Sequence, residues 1–76
     1  MVTVRLHAAL RSCLPHQSGV LRVPAAEGLT VRKVLQDLGV SCGAVGLVLV
    51  NGKMASLDRR LLPGDCLELY PIFGGG

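Results

Sequence analysis

The stretch from Thr30 to Gly39 constrains the fold more than any other. Val31, Val34, Leu35 and Leu38 fall at i, i+3, i+4 and i+7, which puts one apolar stripe along a helix. Thr30 is a good N-cap, because its hydroxyl can accept a backbone N–H two or three residues on. The capping box is incomplete, since Lys33 stands where Glu or Gln would close it. Gly39 supplies the left-handed residue that stops a helix. A helix with one apolar stripe has to bury it against another layer, so the flanking runs must provide a sheet.

Those runs read as strands. Val2, Val4 and Leu6 alternate with Thr3 and Arg5, the period of a half-buried strand. His7 to Leu14 predicts a short helical turn ended by Pro15, and His16-Gln17-Ser18-Gly19 a loop. Val20 to Val23 predicts a second strand with Leu21 and Val23 inward, closed by Pro24. Val40 to Gly46 reads as irregular. Within it, Gly43-Ala44-Val45-Gly46 reads as a turn rather than a nucleic-acid GxxG loop, because flanking basic residues and paired helices are missing. Leu47 to Val50 is apolar on both faces and predicts a central strand. Asn51-Gly52 is a strong hairpin signal, with Lys53-Met54-Ala55 as the return strand. Leu57 to Leu62 is a connection leading into a Pro63-Gly64-Asp65 turn. Cys66 to Tyr70 is the last strand, with Leu67 and Leu69 inward and Glu68 and Tyr70 outward. The order predicts an α+β domain: a mixed sheet of four to five strands packed on one main helix. The opposite sheet face stays open and carries Thr3, Arg5, Arg22, Glu68 and Tyr70.

In the final run, Tyr70-Pro71-Ile72-Phe73-Gly74-Gly75-Gly76, the strand is expected to stop at Pro71, two apolar residues follow, and the three glycines contribute nothing to a core. Glycines resist being fixed in one conformation, and lacking Cβ they can pass a narrow channel. The expected division is a folded body over residues 1–73 and a flexible glycine tail over 74–76. With 76 residues the chain is one domain. A domain of this size buries only about 60% of its unfolded surface, so its margin of stability is thin. Tyr70 and Phe73 are its only aromatic residues of the Phe, Trp and Tyr set. Phe73 and Ile72 are read as apolar anchors for a partner. Tyr70 fits either partner contact or packing on the sheet. Pro71 stiffens the exit from the strand.

The formal charge is +3, from eight Lys or Arg against five Asp or Glu. The basic residues are scattered at Arg5, Arg11, Arg22, Arg32, Lys33, Lys53, Arg59 and Arg60 and form no stripe. Nucleic acid is therefore not expected as the partner, and an acidic protein surface fits as well. Cys13, Cys42 and Cys66 are odd in number and widely spaced, which is neither a disulfide framework nor a four-thiolate cluster site. They are expected to be small buried hydrophobes in a reducing compartment. Nothing orients Cys13 and His16 as a catalytic pair. His7 and His16 have no metal-ligand spacing, so no metal site is expected. The first residues lack a signal-peptide core, and Ala44 to Val50 is far short of the ~20 apolar residues a membrane helix needs. A soluble cytoplasmic protein is expected.

Three blocks together carry a family resemblance. The first is Glu27-Gly28-Leu29-Thr30-Val31 with Val34-Leu35 and Leu38-Gly39. The second is Val50-Asn51-Gly52-Lys53. The third is Leu62-Pro63-Gly64-Asp65 followed by Leu67-Glu68-Leu69-Tyr70-Pro71 and the closing Gly75-Gly76. In this order they resemble the ubiquitin-like β-grasp sulfur carriers of the ThiS and MoaD families, nearer to MoaD. The chain departs from that pattern in its three glycines, since a serine or threonine often precedes the pair.

The resemblance implies a protein that is not itself an enzyme. It acts as co-substrate of an E1-like adenylating enzyme and as small subunit of a synthase. No cofactor is bound, and ATP is consumed by the partner. The carboxylate of Gly76 is adenylated, a sulfur donor protein supplies sulfur, and the resulting thiocarboxylate serves cofactor biosynthesis. Molybdopterin is the first expectation, with thiamin or tungsten cofactor next. Gly74 and Gly75 form the tail, while Tyr70, Pro71, Ile72 and Phe73 meet the partner. Two other readings stay open: a ubiquitin-like modifier using the same terminus, and a non-catalytic β-grasp module binding protein or RNA through its open face.

Overall fold

Val2, Val4 and Leu6 are buried while Arg5 is exposed, so the alternation in the sequence becomes one inward face of β1 (Val2–Leu6). The structure, a computed structural model, describes residues 1–8, 10 and 19–72. The elements that follow are β2 (Val20–Val23), helix α1 (Val31–Leu38), a 3-10 turn (Cys42–Ala44), β3 (Val45–Val50), β4 (Lys53–Met54) and β5 (Cys66–Pro71). The described strands form one sheet in the order β2-β1-β5-β3-β4. β1 pairs antiparallel with β2 and parallel with β5, while β5 and β4 both pair antiparallel with β3. This is the ubiquitin-like β-grasp arrangement, a mixed five-stranded sheet with α1 on one face.

The core joins that face to the helix stripe. Val2, Val4, Leu6, Val48, Val50, Leu67 and Leu69 from the sheet meet Val31, Val34 and Leu35 from α1. Leu29, Val40 and Leu61 close the ends. Leu38, the last residue of the predicted stripe, is only half-buried.

Both ends of α1 are satisfied as the sequence implies, with one addition. The Thr30 hydroxyl accepts the Lys33 N–H at 3.2 Å. Gly39 adopts φ 75°, and its N–H donates to Gln36 O at 3.1 Å while Val40 N–H donates to Leu35 O at 2.9 Å. That pair of bonds is a Schellman motif, and its hydrophobic partners Leu35 and Val40 are both buried. The addition is the connection after β4. Leu57 O accepts the Arg32 N–H at 2.8 Å and Arg59 O accepts the Val31 N–H at 3.1 Å. Two first-turn donors that would otherwise need water are thereby paired, and Leu61 is drawn into the core.

Several expectations need correction. β3 is an interior strand as expected, between β5 and β4, but the middle of the sheet is β5, and β4 flanks β3 only at Leu49 and Val50. The second apolar face of β3 carries Leu47 and Leu49, which are half-buried on the side away from the helix. The segment thought irregular holds the 3-10 turn, capped by Ser41 Oγ accepting the Gly43 N–H at 3.2 Å, and β3 begins at Val45 rather than Leu47. β4 stops at Met54, and β5 runs through Pro71 rather than ending before it. Cys42 and Cys66 are half-buried, not buried. The helical turn expected over His7 to Leu14, together with Cys13, His16 and the boundary at residue 73, lies wholly or partly outside the described residues.

Candidate functional site

The site is the root from which the C-terminal run leaves the sheet, together with the open face beside it. Pairing between β1 and β5 reaches only Leu6 and Leu69. Beyond that point β5 has a strand on one side alone, so Pro71, which has no N–H, costs no ladder bond on the other. On the β3 side the register slips between Val45 and Leu47, with Val45 opposite Pro71 and Leu47 opposite Tyr70. Gly46 is the extra residue of this bulge. Ile72 N–H donates to Ala44 O at 3.3 Å, so the root is tied to the segment just before β3. The Ile72 side chain is 60% exposed.

The open face is assembled from four strands. Registers place Thr3 and Arg5 beside Cys66 and Glu68, and Leu47 and Leu49 beside Tyr70 and Glu68. Met54 pairs with Leu49 at the margin and is 79% exposed. Just past β1, His7 N–H donates to Leu69 O at 3.0 Å. Its ring then lies on Tyr70 and its Nε2 sits 3.1 Å from Glu68 Oε2. The face therefore offers an apolar strip, Leu47, Leu49 and Met54, next to a polar-aromatic cluster at the root.

A second polar knot secures the other end of β5. Asn51 Nδ2 donates to Asp65 Oδ1 at 2.9 Å, and Asn51 Oδ1 accepts the Cys66 N–H at 2.9 Å. Asp65 Oδ2 accepts the Leu62 N–H at 2.8 Å. The Leu62 N–H, the Asn51 amide and, less strongly, the Arg59 charge hold the Asp65 carboxyl below its ordinary value. Asn51 with φ 53° and Gly52 with φ 83° make the tight β3–β4 turn. Pro63-Gly64, with Gly64 at φ 89°, turns the chain so that Gly64 N–H reaches Met1 O at 2.9 Å.

Of the residues expected to act, Tyr70, Pro71 and Ile72 are brought together at the root. Phe73, Gly74, Gly75 and Gly76 lie outside the described residues. Tyr70 packs on His7, which realises the packing alternative without hiding the residue, since it remains half-exposed. Sequence reasoning missed His7, Leu47, Leu49, Met54 and Gly46. An isolated glycine at the start of an apolar strand was the one available signal for Gly46. A groove of about 600 Å³ between β2 and α1, lined by Val23, Pro24, Leu29 and Val34, shares no residue with the root. Among the described residues no group of His, Cys, Asp and Glu side chains is placed to hold a metal ion, and no helix is long and apolar enough to cross a membrane.

Comparisons with known proteins cover nearly the whole chain. The family model described as Mut7-C ubiquitin matches residues 1–75. SAMP1 from Haloferax volcanii is 27% identical with a TM-score of 0.74, over 99% of this chain and 98% of its own. The Haloferax volcanii HVO 2177 protein superposes with a TM-score of 0.78 at 21% identity, over 99% of this chain and 85% of its own. A Pyrococcus furiosus protein provisionally described as molybdopterin converting factor, subunit 1, superposes at 0.73 with 21% identity, over 92% of this chain and 94% of its own. At those lower identities the likeness concerns the fold alone. No curated protein sequence matches the chain.

Proposed function

The chain belongs to the Mut7-C ubiquitin family, and from that premise we propose that it is a carrier whose reacting group is the Gly76 carboxylate. A carboxylate is a poor acyl donor. In the proposed cycle one of its oxygens attacks the α-phosphorus of ATP on an E1-like enzyme, and pyrophosphate leaves. The carbonyl carbon becomes an acyl-adenylate with a good leaving group. Hydrosulfide-level sulfur from a donor protein then attacks that carbon, AMP leaves, and a thiocarboxylate remains for cofactor biosynthesis. Molybdopterin is the first destination on motif grounds, with thiamin or tungsten cofactor behind it. The catalytic groups belong to the partner enzyme, and this chain contributes the terminus and the surface that presents it.

The observation that supports this reading is the root. Pro71 and Ile72 are held on Val45 and Ala44, beside an open face with exposed apolar side chains, and the three glycines follow directly in sequence. Holding the root limits how much chain must be ordered when the glycines enter an active site. A larger synthase subunit and the adenylating enzyme are the proposed partners of Ile72, Phe73 and the Leu47–Leu49–Met54 strip.

A second reading shares the first chemical step. The similarity to SAMP1, named a small archaeal modifier protein, supports transfer of the same acyl group to a lysine amine. One experiment separates the two. The chain is incubated with the adenylating enzyme of its own source, ATP and a sulfur donor, and intact masses are read. Exchange of one oxygen for sulfur at Gly76 supports the carrier, and covalent adducts with other proteins support the modifier. An unmodified terminus with a competent enzyme sinks both.

A further inference from the structure

We propose that Gly46 is a positioning residue that sets the direction in which the C-terminal run leaves the body, and so where the Gly76 carbonyl arrives. The inference rests on the carrier reading above and adds a residue to it. A Cβ built on Gly46 would lie 2.9 Å from Ile72 Cα, 2.9 Å from Pro71 O and 3.2 Å from Ile72 N. All three atoms are backbone, so no side chain can swing aside to make room.

The requirement is for space and not for an unusual backbone. Gly46 is absent from the glycines with positive φ, which are Gly19, Gly28, Gly39, Gly52 and Gly64. Alanine is therefore compatible with its local conformation, and its nearest conflicts are with the root. Gly46 is also the extra residue of the β3 bulge, and Ala44, two positions earlier, accepts the Ile72 N–H at 3.3 Å. A short segment of chain thus both anchors the root and leaves a notch for it. The nearest fully buried residue of β3 is Val48, while Val45, which pairs with Pro71, is only partly buried against the core.

The test compares Gly46→Ala with Gly43→Ala, whose added Cβ meets only Ser41 Oγ at an ordinary 3.6 Å. Two quantities are read. The first is amide hydrogen exchange: in Gly46→Ala the Ile72 amide is expected to exchange several-fold faster while Leu67 and Leu69 keep wild-type protection. The second is ATP-dependent adenylation by the cognate enzyme. There kcat is expected to fall on the order of 10- to 100-fold with KM near wild type, because a misplaced reacting atom costs rate while the docking surface is intact. Gly43→Ala is expected to match wild type in both.

Should Gly46→Ala fail to fold, Ile72→Pro removes the anchoring N–H at an exposed position instead. It is expected to lower kcat beyond Ile72→Ala, which keeps that N–H. Unchanged Ile72 exchange, unchanged kcat, or a rise in KM alone would overturn the proposal, as would equal kcat for the two Ile72 variants. If wild type itself is never adenylated by a competent enzyme, the carrier reading fails, and the exchange measurement alone decides whether Gly46 sets the root.

Discussion

The imidazole of His7 lies flat on the ring of Tyr70, with centroids 4.2 Å apart and planes 4° from parallel. Glu68 completes the group, 3.1 Å from His7 Nε2. Stacked aromatic pairs contribute about 0.5–1.5 kcal/mol beyond the area they bury. A double-mutant cycle of His7→Ala and Tyr70→Ala, followed by urea unfolding, is expected to return a coupling energy of that size. A coupling indistinguishable from zero would mean the two rings merely coexist. His7→Phe is expected to keep much of the coupling, since it retains a ring and loses the contact with Glu68.

Acid stability should report on Asp65. Its folded carboxyl is held below the ordinary value by the Leu62 N–H, the Asn51 amide and the Arg59 charge. Such a group contributes stability that is fully present above the unfolded value of about 3.9 and is lost as pH falls through the lower folded value. Wild type is thus expected to lose part of its unfolding free energy below about pH 4. In Asp65→Asn that part of the pH dependence should flatten, with lower stability at neutral pH. Identical profiles for the two proteins would remove Asp65 from the account.

Leu35 is fully buried against the sheet, whereas Leu38 is only partly covered. Leu35→Ala is expected to cost roughly 2–5 kcal/mol through lost burial and a residual cavity. In a domain this small that shift would leave much of the population unfolded near body temperature, visible as a lower urea midpoint. Leu38→Ala should cost clearly less. A reversed order would mean that α1 presents a different face to the core.

The proposed terminus is tested by adding one bulky residue after Gly76. The buried residues of the described core all lie at or before Leu69, so the midpoint of unfolding is expected to be unchanged. Adenylation should be lost, because the reacting carbonyl is now an internal amide. A blocked chain that still forms thiocarboxylate or conjugates at Gly76 would defeat the carrier and modifier readings alike.

Local signals carried most of the fold. The stripe of α1, the Thr30 cap, the Asn51-Gly52 turn and the Pro63-Gly64 turn each depend on residues near one another in sequence, and each is realised. What could not be read depends on pairing across the chain. The partners His7 and Glu68 are separated by 61 residues, and only the parallel β1–β5 ladder brings them together. The central place of β5 is likewise a property of strand order, and composition favoured the more apolar β3. Gly46 fell between the two cases: its isolation was visible, but what it makes room for is the backbone of Pro71 and Ile72, far along the chain. Met54 and Leu47 joined the candidate surface only once β4 and β5 were set on either side of β3.

The C-terminal run grows out of β5, the middle strand of the described sheet, which lies between β1 and β3. Tension applied to that run, as when a protein-unfolding machine grips it, would load the β3 ladder at Pro71 and Tyr70 first and then the β1 and β3 ladders together from Leu69 inward. Pulling from that end therefore engages the middle strand of the sheet before either of its edge strands, β2 and β4.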